Sequence, residues 1–144
     1  MILFVEDGDF IADLANNLSQ KGYDVEWVTN FMAASYKLKV NPGAFAYEAV
    51  ILDLDISPIG LPYEALDTAK EYYGGWAFYK HVLCAMPELQ EHTIFLTGFY
   101  NGFKEKIGEE LYESLNVIGK NDLDQLNKII RLLRRFKKIK DHKR

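Results

Sequence analysis

Four places in the 144-residue chain put acidic, hydroxyl or basic side chains directly after a short apolar run. Acids follow two of these runs, a threonine follows another and a lysine the last; the residues are Glu6, Asp7, Asp53, Asp55, Thr97 and Lys120. Neighbouring carboxylates repel one another unless a cation lies among them, and Mg²⁺ is a hard ion that binds carboxylate oxygens. A carboxylate beside Mg²⁺ can attack a phosphoryl donor, while an ammonium and a hydroxyl stabilise the transferred oxygens. These residue types therefore predict phosphoryl chemistry if the fold brings them together.

The elements around these residues alternate short apolar runs with amphipathic stretches. Apolar runs, with an alternating segment as the second, predict five strands, at residues 2–5, 23–28, 49–52, 93–96 and 116–119. Apolar residues at spacings of three and four between them predict five helices, with a helix end at Gly22 and another before Pro87. Strict alternation predicts an α/β fold: a doubly wound, five-stranded parallel sheet in a three-layer α/β/α sandwich.

The strand order 2-1-3-4-5 would bring the chemical residues to one place. In that order strands one, three, four and five are contiguous, and ligands bind at their carboxyl ends. Strand two is then the edge, and it ends in Val28 and Thr29 without a charge. We therefore expect one shallow pocket built by four strands, to which the edge strand contributes no functional side chain.

Composition excludes several classes of function. Cys84 is the only cysteine and the three histidines are scattered, so neither an internal disulfide nor a thiolate or imidazole zinc site is expected. The apolar run at the amino end is too short for a signal peptide, and no stretch is long enough to span a membrane. These features predict a cytoplasmic protein with no membrane partner.

Charge is distributed unevenly along the chain. Residues 128–144 hold nine Lys or Arg and one Asp, whereas the other 127 residues carry a net charge of −12. Such an acidic body repels nucleic acid, so no direct nucleic acid binding is expected. The basic stretch predicts a C-terminal helix at about 122–140, on which Leu132, Phe136 and Ile139 form a second apolar face. That face predicts a homodimer contact or an acidic protein partner.

Four sequence segments in this order resemble the receiver domains of two-component response regulators. They are ILFVEDGD at the start, AVILDLD in the middle, TIFLTG after it and VIGK near the end. The resemblance covers nearly the whole chain and implies a flavodoxin-like fold, with residues 1–144 as a single receiver domain. It also implies a stand-alone signalling protein that phosphorylates and dephosphorylates itself, rather than an enzyme that turns over a substrate.

The resemblance also assigns roles to the residues at the strand ends. Asp53 would be the phosphoacceptor, and Glu6 and Asp7 would hold Mg²⁺ together with Asp53 and the backbone carbonyl of Asp55. Thr97 and Lys120 would bind the phosphoryl group. The donor would be a histidine kinase, a phosphotransfer protein or a small phosphodonor.

The chain departs from the usual receiver pattern at several positions. Asn121 follows the lysine where the family usually has proline, and Val117 occupies the place of an aromatic switch residue. Asp55 and Phe99 are an unusual acid and a bulky ring beside the site, where both bear on water access. Residues 54–73 form an insertion before Gly74, which we expect to act as a lid.

Two other functions remain open from the sequence. VILDLD also resembles the nucleophile segment of haloacid-dehalogenase-like phosphatases, with Asp53 as nucleophile and Asp55 as general acid. That family places its metal-binding acids after the lysine, whereas Glu6 and Asp7 precede the nucleophile here. A non-phosphorylated pseudo-receiver that serves as a binding module is the other alternative.

Overall fold

The strands form one parallel sheet. The computed structural model describes residues 1–8, 12–40, 47–56, 74–98 and 100–142. The strands are β1 Ile2–Val5, β2 Val25–Val28, β3 Ala49–Asp53, β4 Thr93–Thr97 and β5 Asn116–Gly119. They pair in the order β2-β1-β3-β4-β5, all parallel, which confirms the predicted doubly wound order. The edge strand begins at Val25, two residues later than predicted.

Helices connect the strands, and some predicted helices are divided. The α-helices of the described residues are α1 Ala12–Gln20, α2 Phe31–Val40, α3 Gly74–His81, α4 Pro87–Glu91, α5 Tyr100–Ile107, α6 Glu109–Glu113 and α7 Gln125–His142, and a short 3₁₀ helix, Leu83–Ala85, lies between α3 and α4. The apolar spacing of Phe103, Ile107, Leu111 and Leu115 predicts one continuous helix, but Gly108 divides it into α5 and α6 with φ +91°. Glycine tolerates this left-handed conformation at little cost, which explains the break.

Alternate residues of the central strands build two cores, one on each face of the sheet. Leu3, Val5, Val50 and Leu52 lie in the cluster that α2, α3 and α5 cover. Their neighbours in sequence, with Ile94 and Leu96, lie in the cluster that α1 and α7 cover. Side chains of a strand alternate between faces, so strands that are buried throughout require helices on both sides. The three-layer α/β/α arrangement is thus confirmed.

The last helix differs from its predicted form. It spans Gln125–His142 instead of about 122–140. Phe136 was predicted on a second, outer face, but it is 5% exposed and its ring stacks on His92 at 4.5 Å between centroids. The reason is helical geometry, because Ile129, Leu133 and Phe136 follow one another at spacings of four and three on a single face. Ile139, at 40% exposure, remains outside the core.

The predicted insertion at 54–73 falls mostly outside the described residues, which resume at Gly74. Asp55 and Ile56 precede the gap, and Phe99 also lies outside the described residues. The described residues on either side of this gap lie in contact, because a Cβ atom on Gly74 would lie 2.1 Å from the carbonyl oxygen of Ile56. None of the described helices combines the length and apolarity that crossing a bilayer requires.

Candidate active site

The carboxyl end of β1 presents two acids. Glu6 is 1% exposed, and its amide donates to the carbonyl of Val28 at 3.0 Å, which extends the β1–β2 ladder by one residue. The amide of Gly8 donates to Glu6 Oε1 at 3.0 Å and closes the turn after the strand. Asp7, the other acid, is exposed. Main-chain contacts thus orient the Glu6 carboxylate before any ligand binds.

Asp53 and Lys120 meet across the ends of β3 and β5. Asp53 is 1% exposed, and Lys120 Nζ lies 2.9 Å from its Oδ1. The same ammonium is 3.4 Å from Glu6 Oε2. The Lys120 amide donates to the carbonyl of Thr97 at 2.8 Å, which ties the end of β5 to the end of β4. One lysine therefore contacts buried acids from two other strands.

Carboxylate oxygens of Glu6, Asp7 and Asp53 all lie within 4.8 Å of one another. Glu6 Oε2 is buried and has no hydrogen-bond partner, although the Lys120 ammonium lies nearby as an ion-pair partner. A single lysine leaves these three acids with excess negative charge, which is costly because Glu6 and Asp53 are buried. The donor set and the unsatisfied oxygen suit a hard cation such as Mg²⁺.

Burial and mutual repulsion alter the acidity of this site. Burial, with a hydrogen bond to Asp53 and its charge, raises the pKa of Glu6 to about 8 against the opposing effect of Lys120. Burial lowers the pKa of Lys120, but the hydrogen bonds and charges of Asp53 and Glu6 together outweigh it, and the net pKa is raised. Perturbed groups of this kind gather at sites where chemistry occurs.

Asp55 and Thr97 complete the surroundings. The amide of Asp55 donates to Asp53 Oδ1 at 3.1 Å, so the chain turns just after β3 and the main chain of Asp55 lies beside the Asp53 carboxylate. Its side chain is exposed, yet desolvation of the carboxylate and the charge of Asp53 raise its pKa. Thr97 is fully buried at the end of β4 and pairs with Gly119. The described residues contain no cis peptide bond, so Asn121 follows Lys120 in the trans form.

The sequence did not single out two contributors to this site. Trp27 of the edge strand donates its indole N–H to the carbonyl of Glu6 at 2.8 Å, although no side chain of that strand is expected from the sequence to contribute to the site. Gly75 lets α3 dock onto the end of β3, because a Cβ atom there would lie 2.4 Å from the carbonyl oxygen of Asp53. The Gly-Gly pair was visible as a helix start, but its role as a contact with the acid-bearing strand was not.

Comparison with known proteins extends the geometric result. No protein-family model matches the chain, and no curated protein matches it. Among solved structures, it is similar to a CheY-like response regulator receiver domain protein from Methanospirillum hungatei JF-1, with 20% identity, 95% of both chains covered and a TM-score of 0.62.

Two further receiver structures give the same result. The receiver domain of NtrX from Brucella abortus is 20% identical, with 94% of this chain and 97% of that chain covered and a TM-score of 0.67. The receiver domain of the Francisella response regulator 1452 is 20% identical, with 96% and 97% covered and a TM-score of 0.62. At this level of identity the similarity concerns the fold, and the chain therefore has the fold of response regulator receiver domains.

Proposed function

We propose that the protein is a phosphoacceptor receiver in which Asp53 takes a phosphoryl group from a histidine kinase, a phosphotransfer protein or a small phosphodonor. One observation carries the proposal: Lys120 Nζ lies 2.9 Å from the buried Asp53, within a group of three carboxylates whose oxygens lie within 4.8 Å. A structural ion pair alone would not need Glu6 and Asp7 beside it. The receiver fold is consistent with this function.

The transfer step follows from the residue types. A carboxylate oxygen of Asp53 attacks the phosphorus of a phosphohistidine, the P–N bond breaks, and its electron pair stays on the imidazole, which takes up a proton from solvent. Lys120 moves from its ion pair with Asp53 to a phosphoryl oxygen, and the Thr97 hydroxyl contacts another. Mg²⁺, held by Glu6, Asp7, Asp53 and the backbone carbonyl of Asp55, would supply positive charge to the transferring oxygens. Hydrolysis of the acyl phosphate returns the Asp53 carboxylate.

The outer face of α7 is proposed as the surface for a protein partner. Lys128 and Arg131 contact Asp122 and Asp124, while Arg134 and Lys138 are exposed on the same side of the helix. With Phe136 in the core, this face is charged more than apolar. An acidic protein, or the acidic body of a second copy, would complement it.

Intact mass spectrometry with acetyl phosphate tests the chemistry. We expect a gain of one phosphoryl group that requires Mg²⁺, disappears with EDTA and is absent from Asp53→Asn. Asp55→Asn is the matched control and should still be labelled. Labelling of Asp53→Asn at the wild-type level would refute the acceptor assignment. Absence of labelling in the wild type would favour a pseudo-receiver, and steady turnover of a phosphate monoester, lost in Asp55→Asn, would favour a phosphatase.

A further inference from the structure

We infer that Trp27 is a positioning residue for the metal-binding end of β1, acting through the main chain of Glu6. The inference rests on the proposed function, because it concerns the acids that would hold Mg²⁺ there. Its observation is the hydrogen bond of 2.8 Å from the indole Nε1 to the carbonyl oxygen of Glu6, which joins residues 21 positions apart in the chain.

The indole completes the anchoring of Glu6. The amide of Glu6 donates to Val28, and Oε1 accepts from the Gly8 amide, both at 3.0 Å. The Glu6 carbonyl lies beyond the last strand residue, Val5, so the regular ladder ends before it. Trp27 is the donor that the described residues provide for this carbonyl. With this contact, the peptide group between Glu6 and Asp7 is held at the point where the chain leaves the sheet.

The peptide group between Glu6 and Asp7 influences the side-chain direction of both acids. Its orientation determines the direction in which Glu6 and Asp7 leave the main chain, and therefore the separation of their carboxylates. Metal ligands must be held within about 0.5 Å of their productive positions. Groups that orient ligands without touching the metal typically contribute about 10- to 100-fold to affinity.

Packing makes Trp27 suitable as an anchor. The indole ring is half-buried and packs against the core cluster that α1 and α7 cover. In the β1–β2 ladder, Trp27 pairs with Phe4. A ring held by this packing presents its N–H in one direction. A smaller hydroxyl or amide side chain at the strand edge would have greater freedom and would hold the carbonyl less firmly.

Trp27→Phe tests the inference, because it keeps an aromatic ring and removes the N–H. We expect Mg²⁺ to bind roughly tenfold more weakly to this variant by calorimetry on the unphosphorylated protein. Val25→Ala is the matched control: Val25 lies on the same strand and packs against the same cluster, but it pairs with Ile2, at the opposite end of β1 from Glu6. It should bind Mg²⁺ as the wild type does.

Nuclear magnetic resonance of the wild-type protein adds a readout that does not depend on a variant's folding. The chain has two tryptophans, and the indole N–H resonance of Trp27 should shift on Mg²⁺ addition more than that of Trp76. Wild-type affinity in Trp27→Phe, or an unmoved Trp27 resonance during Mg²⁺ binding, would overturn the inference alone. A wild-type protein that binds no Mg²⁺ would overturn the metal site of the proposed function and this inference together.

Discussion

At the scale of single residues, Glu6 occupies a position that is unfavourable for its charge. It is 1% exposed, one carboxylate oxygen has no hydrogen bond, and Asp53 lies beside it. Lys120 offsets part of this charge from 3.4 Å. Folding without a metal therefore favours the protonated acid, which is the cause of the raised pKa.

The raised pKa has a definite sign for stability. In the folded state the pKa of Glu6 is about 8, against an ordinary value of 4.5, so the folded protein binds the proton more tightly than the unfolded chain. The stabilising effect is complete below about pH 4.5 and is lost as the pH rises through about 8. In metal-free protein, Glu6→Gln should thus be about as stable as wild type at pH 5. At pH 8 it should be more stable by roughly 1–3 kcal/mol, after allowance for Lys120.

Urea unfolding in EDTA at several pH values measures this difference, with the surface substitution Glu105→Gln as control. The control removes one exposed carboxylate away from the site and should change the unfolding free energy by less than about 1 kcal/mol. With Mg²⁺ present, the advantage of Glu6→Gln should shrink or reverse, because the wild-type carboxylate gains a cation. An advantage that is the same at pH 5 and pH 8 would contradict the account.

At the scale of elements, close contacts between a helix start and a strand end build the site. The amide of Gly75 donates to the carbonyl of Leu54 at 3.2 Å, so α3 docks where β3 has just delivered Asp53. Neither Gly74 nor Gly75 leaves room for a side chain against this backbone. The helix and the acid-bearing strand are thus positioned as one unit.

Gly75→Ala should destabilise the protein by about 2–4 kcal/mol, because its Cβ atom would meet the backbone carbonyl of Asp53 at 2.4 Å. Gly98→Ala is the matched control, since a Cβ atom there meets nothing within 4 Å. It should change the unfolding free energy by less than about 1 kcal/mol. Equal effects in denaturant unfolding would show that the docking of α3 on β3 is not tight.

At the scale of the whole molecule, α7 has two faces with different roles. Its inner face supplies Ile129, Leu133 and Phe136 to the core, and its outer face carries the basic side chains. Truncation within this helix would therefore remove core contacts together with the charged surface. The two roles require different substitutions to be separated.

Truncation after Leu133 should lower the unfolding free energy by about 3 kcal/mol or more, because it removes the buried Phe136 ring and its stacking on His92. Arg134→Glu with Lys138→Glu changes only the exposed face and should alter stability by less than about 1 kcal/mol. Thermal and urea unfolding of both variants compare the two faces. A truncated chain as stable as the full chain would place Phe136 outside the core.

Much of the fold was predictable from local pattern. Short strand segments of four to six residues separated by helical spacings indicate a parallel sheet covered on both faces, and the order 2-1-3-4-5 brings the polar strand ends together. The side chains of Glu6, Asp7, Asp53 and Lys120 were therefore expected to lie together, and they do. One polar residue at the end of an apolar strand is a weak signal, but such residues at the ends of four strands are together a strong one.

Other features depend on contacts between residues that are distant in the chain. Phe136 is buried because the face of α7 that it shares with Ile129 and Leu133 packs on the sheet, where its ring also stacks on His92. The indole of Trp27 reaches Glu6 because β2 pairs with β1 in one register, Phe4 opposite Trp27. The sequence by itself determined the residue types and the strand ends at which they lie. Only the tertiary structure decided their orientation, because side-chain direction and hydrogen-bond partners depend on the register and packing of neighbouring elements.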